Sequence, residues 1–320
     1  MARRPRSPAT FNDFGTLFPD DEACEAYLAS WRWPDGPACG SCGSARVTRL
    51  HTRRLWQCRD CRHQTSVTAG TVMHRSKTPL RTWVYAFWQM GRRKTSVSAL
   101  QFMKEVGIRS YKTAWALLHK VRRVLAESGD WSLKEGKVEV DEAMVGGRKG
   151  RFARRLGWGG AWLVAAVERI EVLTKNGKRY RRSGSARAEV VQATDAATLV
   201  QFVADHVEEG ATVVTDGHSA DRHLDQVGMK HEAYVVGGSA RLIDAVLPKV
   251  HLLFSNIKTW VNGTFHGVSG KYLELYVSEY LYRFNRRHHD EDIVGFISRR
   301  VMSSKWAPTA SLLTTAETRG

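Results

Sequence analysis

Two short β-branched runs, each carrying an aspartate at or near its end, restrict this chain more than any other feature. They are Lys137-Val138-Glu139-Val140-Asp141-Glu142 and Ala211-Thr212-Val213-Val214-Thr215-Asp216. β-Branched residues fit a pleated, buried surface. Runs this short, closed by Gly146-Gly147 or Gly217, read as central strands. A carboxylate on a buried strand is costly to desolvate unless it meets a counter-charge. Two of them on separate strands point to a shared divalent cation. The plainer alternative is a strand-edge charge at Asp141 and a turn aspartate at Asp216.

Strands are expected at 137–145, 161–169, 186–193, 211–215 and 231–236, with turns at Gly157–Gly160 and Asn176-Gly177. A helix over 196–209, with Leu199, Val200, Val203 and Val207 inward, crosses to the fourth strand. A three-stranded meander, a helix and a parallel strand outline an RNase H-like α/β sheet. There Asp141 sits inside the first strand and Asp216 at the carboxyl end of its neighbour, where both can share Mg²⁺. Pro248 opens a further helix whose inward residues are Val250, Leu253, Phe254, Ile257 and Val261. A separate face carries His251, Ser255, Lys258 and Asn262 at steps of three or four. No acid lies on that face. His251 is the candidate third ligand, a softer donor able to hold Mn²⁺ or Mg²⁺, with an ordinary surface histidine as the alternative. Asn256, on another face, is the reserve.

The front of the chain reads differently. Cys39-x-x-Cys42 and Cys58-x-x-Cys61 are two thiolate turns suited to one structural tetrahedral Zn²⁺. The residues between them, Val47–Leu50 and Leu55–Gln57, read as hairpin strands: a zinc ribbon. Redox or disulfide pairs are the alternatives, and Cys24 is an isolated apolar residue. Asp20 caps a short helix before the ribbon. After it come three helices, opened by Thr78-Pro79, Ser96 and Ser110, with Gly91 and Gly107 ending the first two. The last two, across a Gly107 turn, resemble a helix-turn-helix. The outer face of the third carries Lys112, Thr113, Lys120, Arg122 and Arg123, suited to phosphate and groove contact or simply solvated.

Charge agrees with a polyanionic partner: 49 Lys and Arg stand against 32 Asp and Glu, a formal +17 over 320 residues. No apolar run approaches the ~20 residues of a membrane span, and no apolar region follows the basic N-terminus as a signal peptide requires. Late in the chain Arg283, Arg286 and Arg287 point outward from a helix with Tyr276, Tyr280 and Phe284 inward, and could track phosphates. The insert Lys175–Arg187 reads as a mobile basic hairpin tip.

From about Phe18 to Trp306 the chain resembles bacterial insertion-sequence transposases of the DDE superfamily, in the group with a zinc-ribbon head and a histidine-bearing (DDHK) site. The ribbon cysteines carry the resemblance together with Thr68-Ala69-Gly70-Thr71-Val72, Tyr111-Lys112-Thr113-Ala114-Trp115 and Val140-Asp141-Glu142. So do Thr215-Asp216-Gly217, Gly263–Val268 and Tyr282–Arg287. The resemblance implies an RNase H-like catalytic domain whose third ligand falls on His251 and whose lysine, seven residues on, falls on Lys258. The family usually has Glu or Asn at the third place.

The resulting expectation is a metal-dependent transposase that cuts at element ends and joins the freed 3′-hydroxyl to target DNA. Asp141, Asp216 and His251 would hold two Mg²⁺ or Mn²⁺ ions, and Lys258 would neutralise the scissile phosphate. Expected partners are double-stranded DNA (terminal inverted repeats and target) and at least a second copy of the chain. The expected location is the bacterial cytoplasm, at the nucleoid, without a membrane. The expected divisions are a flexible basic tail (1–16), a zinc ribbon with its leading helix (17–75) and a helix-turn-helix domain (76–130). A catalytic domain (131–306) and a tail (307–320) follow. The competing expectation is a DNA-binding regulator whose catalytic fold has lost its chemistry.

Overall fold

A computed structural model describes residues 7–127, 132–134, 136–146, 160–217, 228–234, 245–287 and 292–305. The expected tails at 1–6 and 307–320, the glycine turn at 157–159 and the strand end at 235–236 lie outside the described residues. The chain divides into two units, one of residues 7–127 with 292–305, the other running from 132 to 287.

In the first unit, helix α1 (Phe11–Leu17) begins at Thr10, whose hydroxyl accepts from the Asp13 N–H while the Asp13 carboxylate accepts from the Thr10 N–H. Such a reciprocal cap satisfies two end donors at once. These residues were expected within a flexible tail. They are ordered because the Phe14 ring is buried against Phe18, Tyr85 and Trp88. Helix α2 (Asp21–Arg32) is capped by Asp20, as expected. The ribbon strands β1 (Val47–Leu50), β2 (Leu55–Cys58) and β3 (Gln64–Thr65) form an antiparallel sheet in that order. Arg32 of α2 reaches the carbonyls of Val67 and Ala69 at 2.5 and 2.6 Å. Arg49 of β1 pairs with Glu22 and the buried Glu25 of α2.

Helices α3 (Leu80–Arg92), α4 (Ala99–Val106) and α5 (Tyr111–Ala126) follow. The cap of α4 is Ser98, whose hydroxyl accepts from the Gln101 N–H at 3.2 Å; the expected cap Ser96 instead takes a left-handed turn at φ 62°. Gly91 does not end α3. It lies inside the helix, where an added Cβ would sit 3.1 Å from Ile293 Cγ2 of α9 (Ile293–Ser303). The missing side chain lets α9 approach closely. α9 also packs on α2 and α5 and buries Val294, Ile297 and Val301. It thus groups with the N-terminal unit, although the expected catalytic segment runs to residue 306. Its apolar stripe finds its complement on α2 and α3.

The second unit is a five-stranded mixed sheet. Its strands are β4 (Lys137–Val145), β5 (Ala161–Leu173), β6 (Arg179–Val191), β7 (Thr212–Thr215) and β8 (Lys230–Ala233), in the order β6-β5-β4-β7-β8. β4, β5 and β6 are an antiparallel meander; β7 runs parallel to β4, and β8 parallel to β7. Helix α6 (Ala196–His206) covers Val138, Val140, Val164, Ala166 and Val213 on one face. Helices α7 (Pro248–Phe265) and α8 (Gly270–Arg286) cover Val145, Leu163, Ala165, Val167 and Val214 on the other. This is the RNase H-like arrangement expected. β6 begins at Arg179, so most of the basic insert is strand: Arg179 to Arg182 pair with Leu173 to Ile170, leaving a turn at 174–178 with Gly177 at φ 74°. α6 stops at His206, before the expected Glu209, because Val207 leaves the helix to bridge to Leu133.

Candidate active site and zinc cluster

The four ribbon cysteines converge. Cys39 Sγ lies 3.5 Å from Cys61 Sγ and Cys42 Sγ 3.6 Å from Cys58 Sγ; all four sulfurs lie within 4.8 Å of one another, and none forms a disulfide. A tetrahedral zinc with bonds of about 2.3 Å sets its sulfurs about 3.8 Å apart. The donor set therefore fits one structural Zn²⁺. Backbone N–H groups of Cys42 and Ser41 hold the Cys39 thiol down at about 6, whereas Cys42, despite the Ser44 N–H, is pushed up to about 12 by the crowded Cys61 and Cys58 thiols. It is the convergence of the four sulfurs that suits zinc, which takes them as thiolates. Cys24 is buried elsewhere, where desolvation pushes its thiol up to about 12.

In the second unit the β4–β7 pairing sets Glu139 opposite Val214. The pairing stops there, two residues short of Asp141 on β4 and of Asp216 just past β7, so extending the same register would set Asp216 opposite Asp141. Side chains alternate along a strand, so Glu139 and Asp141 share the face covered by α7. There His251 Nε2 lies 2.9 Å from Asp141 Oδ2. Asp141 Oδ1 accepts from the Glu142 N–H at 2.8 Å. Both side chains remain partly open, His251 at 28% and Asp141 at 17%. Asn256 is exposed further along α7; His251 is the residue that meets Asp141. Lys258 is also exposed. Seven residues on, it stands about 10 Å along the axis at nearly the angular position of His251.

Asp216 follows β7 directly, and the buried Thr215 hydroxyl braces its turn by accepting from the Gly217 N–H at 3.2 Å and bonding His231 Nε2 at 3.0 Å. Among the described residues only the four cysteines gather three or more metal-ligating atoms within 4.8 Å. Asp141 and His251 are thus a pair, with the Asp216 carboxylate at the adjacent strand end and not closed onto both.

Two residues left out of the sequence reading lie beside this pair. The Glu139 carboxylate is 0% exposed. Its Oε1 accepts from Arg169 Nε at 2.8 Å, and its Oε2 accepts from the Lys249 and Val250 N–H groups at 2.6 and 3.0 Å. Arg169 Nη2 donates to the Val246 carbonyl at 2.6 Å. The signal available in the sequence was a charged residue between Val138 and Val140, two positions before Asp141 and so on its face.

Lys112, Thr113 and Lys120 line one groove of about 270 Å³ together with Ser76, Thr78 and Ser110. Burial lowers the pKa of the Lys120 ammonium. Arg123 pairs with Glu127 at 2.9 Å. Arg122, expected on the outer face, is 1% exposed. It follows Leu118 by four and precedes Leu125 by three, which places it in the inward stripe. The α8 arginines, expected to point outward, have partners in their own unit. Arg283 stacks on Trp260 at 5.2 Å and approaches the buried Glu279 at 3.8 Å. Arg286 packs over Tyr282 at 3.8 Å. Arg287 lies over Phe284 at 3.7 Å and donates to the Ser183 and Gly184 carbonyls. Among the described residues no helix is long and apolar enough to cross a membrane.

Comparison with known proteins agrees with this architecture. Residues 133–285 match an ISXO2-like transposase domain, and residues 19–64 match a transposase zinc-ribbon domain. The chain is also 32% identical over 228 residues to an uncharacterized protein in transposable element ISH50 of Halobacterium salinarum, an alignment covering 68% of this chain and 74% of that protein. The two matched segments coincide with the sheet carrying Asp141 and with the cysteine cluster. The chain belongs to the ISXO2-like transposases with an N-terminal zinc ribbon.

Proposed function

We propose that this transposase cuts and joins DNA by divalent-metal-dependent phosphoryl transfer, with Asp141, Asp216 and His251 as cation ligands. The observation that carries the reading is the 2.9 Å approach of His251 Nε2 to Asp141 Oδ2, beside the strand end that bears Asp216. Adjacent ligands on an octahedral cation with bonds of about 2.1 Å stand about 3 Å apart. The spacing that makes a hydrogen bond therefore also suits two neighbouring ligands of one ion. A two-ion site spreads its ligands over ions ~3.5–4 Å apart, so Asp141, His251 and Asp216 would not all need to gather around one ion. Bound Mg²⁺ or Mn²⁺ would supply Lewis-acid activation of the attacking oxygen and stabilisation of the leaving one.

The chain's own groups have distinct tasks. Asp141, held by the Glu142 N–H, keeps one carboxylate oxygen turned toward His251. The neutral imidazole contributes no negative charge, so the site repels a phosphodiester less than three acids would. Lys258, exposed on the same helix face, would neutralise the scissile phosphate. The ribbon and the groove lined by Lys112, Thr113 and Lys120 would grip the element's ends, and joining two ends calls for at least two copies of the chain.

The test is incubation of the purified protein with Mg²⁺ or Mn²⁺ and DNA containing the element's ends. Joined products support the proposal. Cut-only products restrict it to a nuclease, and retarded but intact DNA favours the binding-only regulator. Asp141→Asn is expected to abolish cutting while leaving DNA retardation unchanged; full cutting by that variant overturns the assigned site.

A further inference from the structure

We infer that Glu139, acting with Arg169, is a positioning residue that sets the His251–Asp141 approach by docking the first turn of α7 onto β4. The first four N–H groups of a helix lack intrahelical partners. A side chain just before the helix normally supplies an acceptor. In α7 that place is held by Leu247, which makes no side-chain cap, and the following residue is Pro248, which has no N–H. The acceptor comes instead from the sheet: Glu139 Oε2 takes the Lys249 and Val250 donors together. Glu139 Oε1 holds Arg169, whose other end takes the Val246 carbonyl. Two charged groups on β4 and β5 thus bind the chain on both sides of the start of α7.

The geometry links this anchor to the cation pair at both ends. On β4, Glu139 stands two residues before Asp141 on the same face. On α7, its last acceptor bond ends at Val250, the residue before His251. The backbones that carry Asp141 and His251 are thus tied to one buried carboxylate, which sets the distance from which their side chains meet. A fully buried charge so close to the site has a cost that a well-packed apolar pair would avoid, and its three hydrogen bonds, with the Arg169 bond to the Val246 carbonyl, specify a single placement of the helix start. The inference rests on the proposed cation site only for its consequence; the geometric effect is independent of any ion.

The experiment compares wild type, Glu139→Gln, the charge-free pair Glu139→Met/Arg169→Met, and Asp141→Ala. The second variant guards against a fold lost simply through a stranded Arg169. Spectra of ¹⁵N-histidine-labelled protein, with His251 assigned by His251→Gln, read the imidazole directly. The His251 Nε2 signal in both Glu139 variants is expected to move toward its position in Asp141→Ala. Mn²⁺ alone, titrated into the folded proteins, is expected to bind at least tenfold more weakly to the Glu139 variants. That loss is expected to vanish when Glu139→Gln is made in a His251→Ala background. A lower melting temperature with an unmoved His251 signal and unchanged Mn²⁺ affinity would reduce Glu139 to a structural residue and overturn the inference, as would an undiminished loss in the His251→Ala background. If wild type binds no Mn²⁺, the cation reading fails, and the imidazole spectrum alone decides for or against the positioning role.

Discussion

His251 Nε2 stands 2.9 Å from Asp141 Oδ2, joining the fourth residue of a helix to the middle of a strand 110 positions earlier in the chain. As a ligand, histidine differs from the usual acid in charge and softness, which gives a direct prediction. His251→Ala is expected to lower the cleavage rate by about a hundredfold or more, the scale of losing a group that stabilises developing charge. His251→Glu is expected to retain activity and shift the preference from Mn²⁺ toward Mg²⁺, since a carboxylate is the harder donor. Single-turnover cleavage in each metal measures both. A glutamate variant with an unchanged metal preference would show that position 251 is not a ligand.

Zinc is expected to hold the ribbon together. The three strands there are two to four residues long, too short to be stable unaided. Structural zinc in small domains supplies on the order of 10 kcal/mol. Cys58→Ser is therefore expected to release the metal and open residues 39–65 to protease, leaving the sheet of the second unit protected. Metal content and limited proteolysis, read by mass spectrometry, measure the two effects separately; retained zinc with an intact ribbon would contradict the assignment.

What the sequence makes legible follows from how local each signal is. β4 matches its expected span from Lys137 to Val145 because its β-branched run has clear bounds, and the inward face of α7 follows from a 3.6-residue period alone. The position of Asp216 in the fold was legible for the same reason, being the residue that directly follows β7. Glu139 was not: its value depends on Arg169, which reaches it past an irregularity in the β5–β6 pairing between Val167 and Arg169. The partners of the α8 arginines were not legible, because a basic residue beside aromatics in sequence reads only as a surface charge; Arg287 is exposed and Arg283 and Arg286 are half-buried. Only three-dimensional packing shows Arg283 over Trp260 and Arg287 on the β6 carbonyls. Gly91 was ambiguous in principle, since a glycine that ends a helix and one that admits another helix look alike in sequence.

The docking of α9 gives a stability prediction. A Cβ on Gly295 would sit 2.6 Å from Trp31 Cζ2 of α2, inside any ordinary contact. Overpacking of this kind costs about 1–3 kcal/mol. Gly295→Ala is expected to lower the melting temperature of the first unit by several degrees, although alanine is the better helix former. Calorimetry measures the shift, and an unchanged or raised melting temperature would mean that α9 does not pack on α2 as described.

The groove beside α5 predicts a salt signature. Lys112 and Lys120 line it from one helix face, and each phosphate neutralised by a lysine contributes about 0.9 to the slope of log affinity against log salt. Lys112→Ala and Lys120→Ala are each expected to weaken DNA binding and reduce that slope by about one, without changing sequence preference. Arg122→Ala should instead act on stability, because the side chain is buried. Binding titrations at several salt concentrations distinguish the cases; unaltered slopes in both lysine variants would remove the groove from the DNA path.

The last prediction concerns acid. His119 is buried in α5, stacked on Trp115 at 3.6 Å with its Nδ1 bonded to the Trp115 carbonyl at 3.0 Å. Desolvation first, and the neighbouring Arg122 second, push its pKa down to about 3. The unfolded chain takes up the same proton near 6.5. Between those values the unfolded state binds more protons than the folded one, so stability rises with pH there. The contribution of a neutral His119 is complete above about pH 6.5 and is lost progressively as the pH falls toward 3. His119→Leu removes the titrating group while keeping a buried side chain of similar bulk, so its melting temperature is expected to fall less steeply than that of wild type between pH 6.5 and 4. Matching acid limbs in the two proteins would show that His119 does not control the acid sensitivity of the first unit.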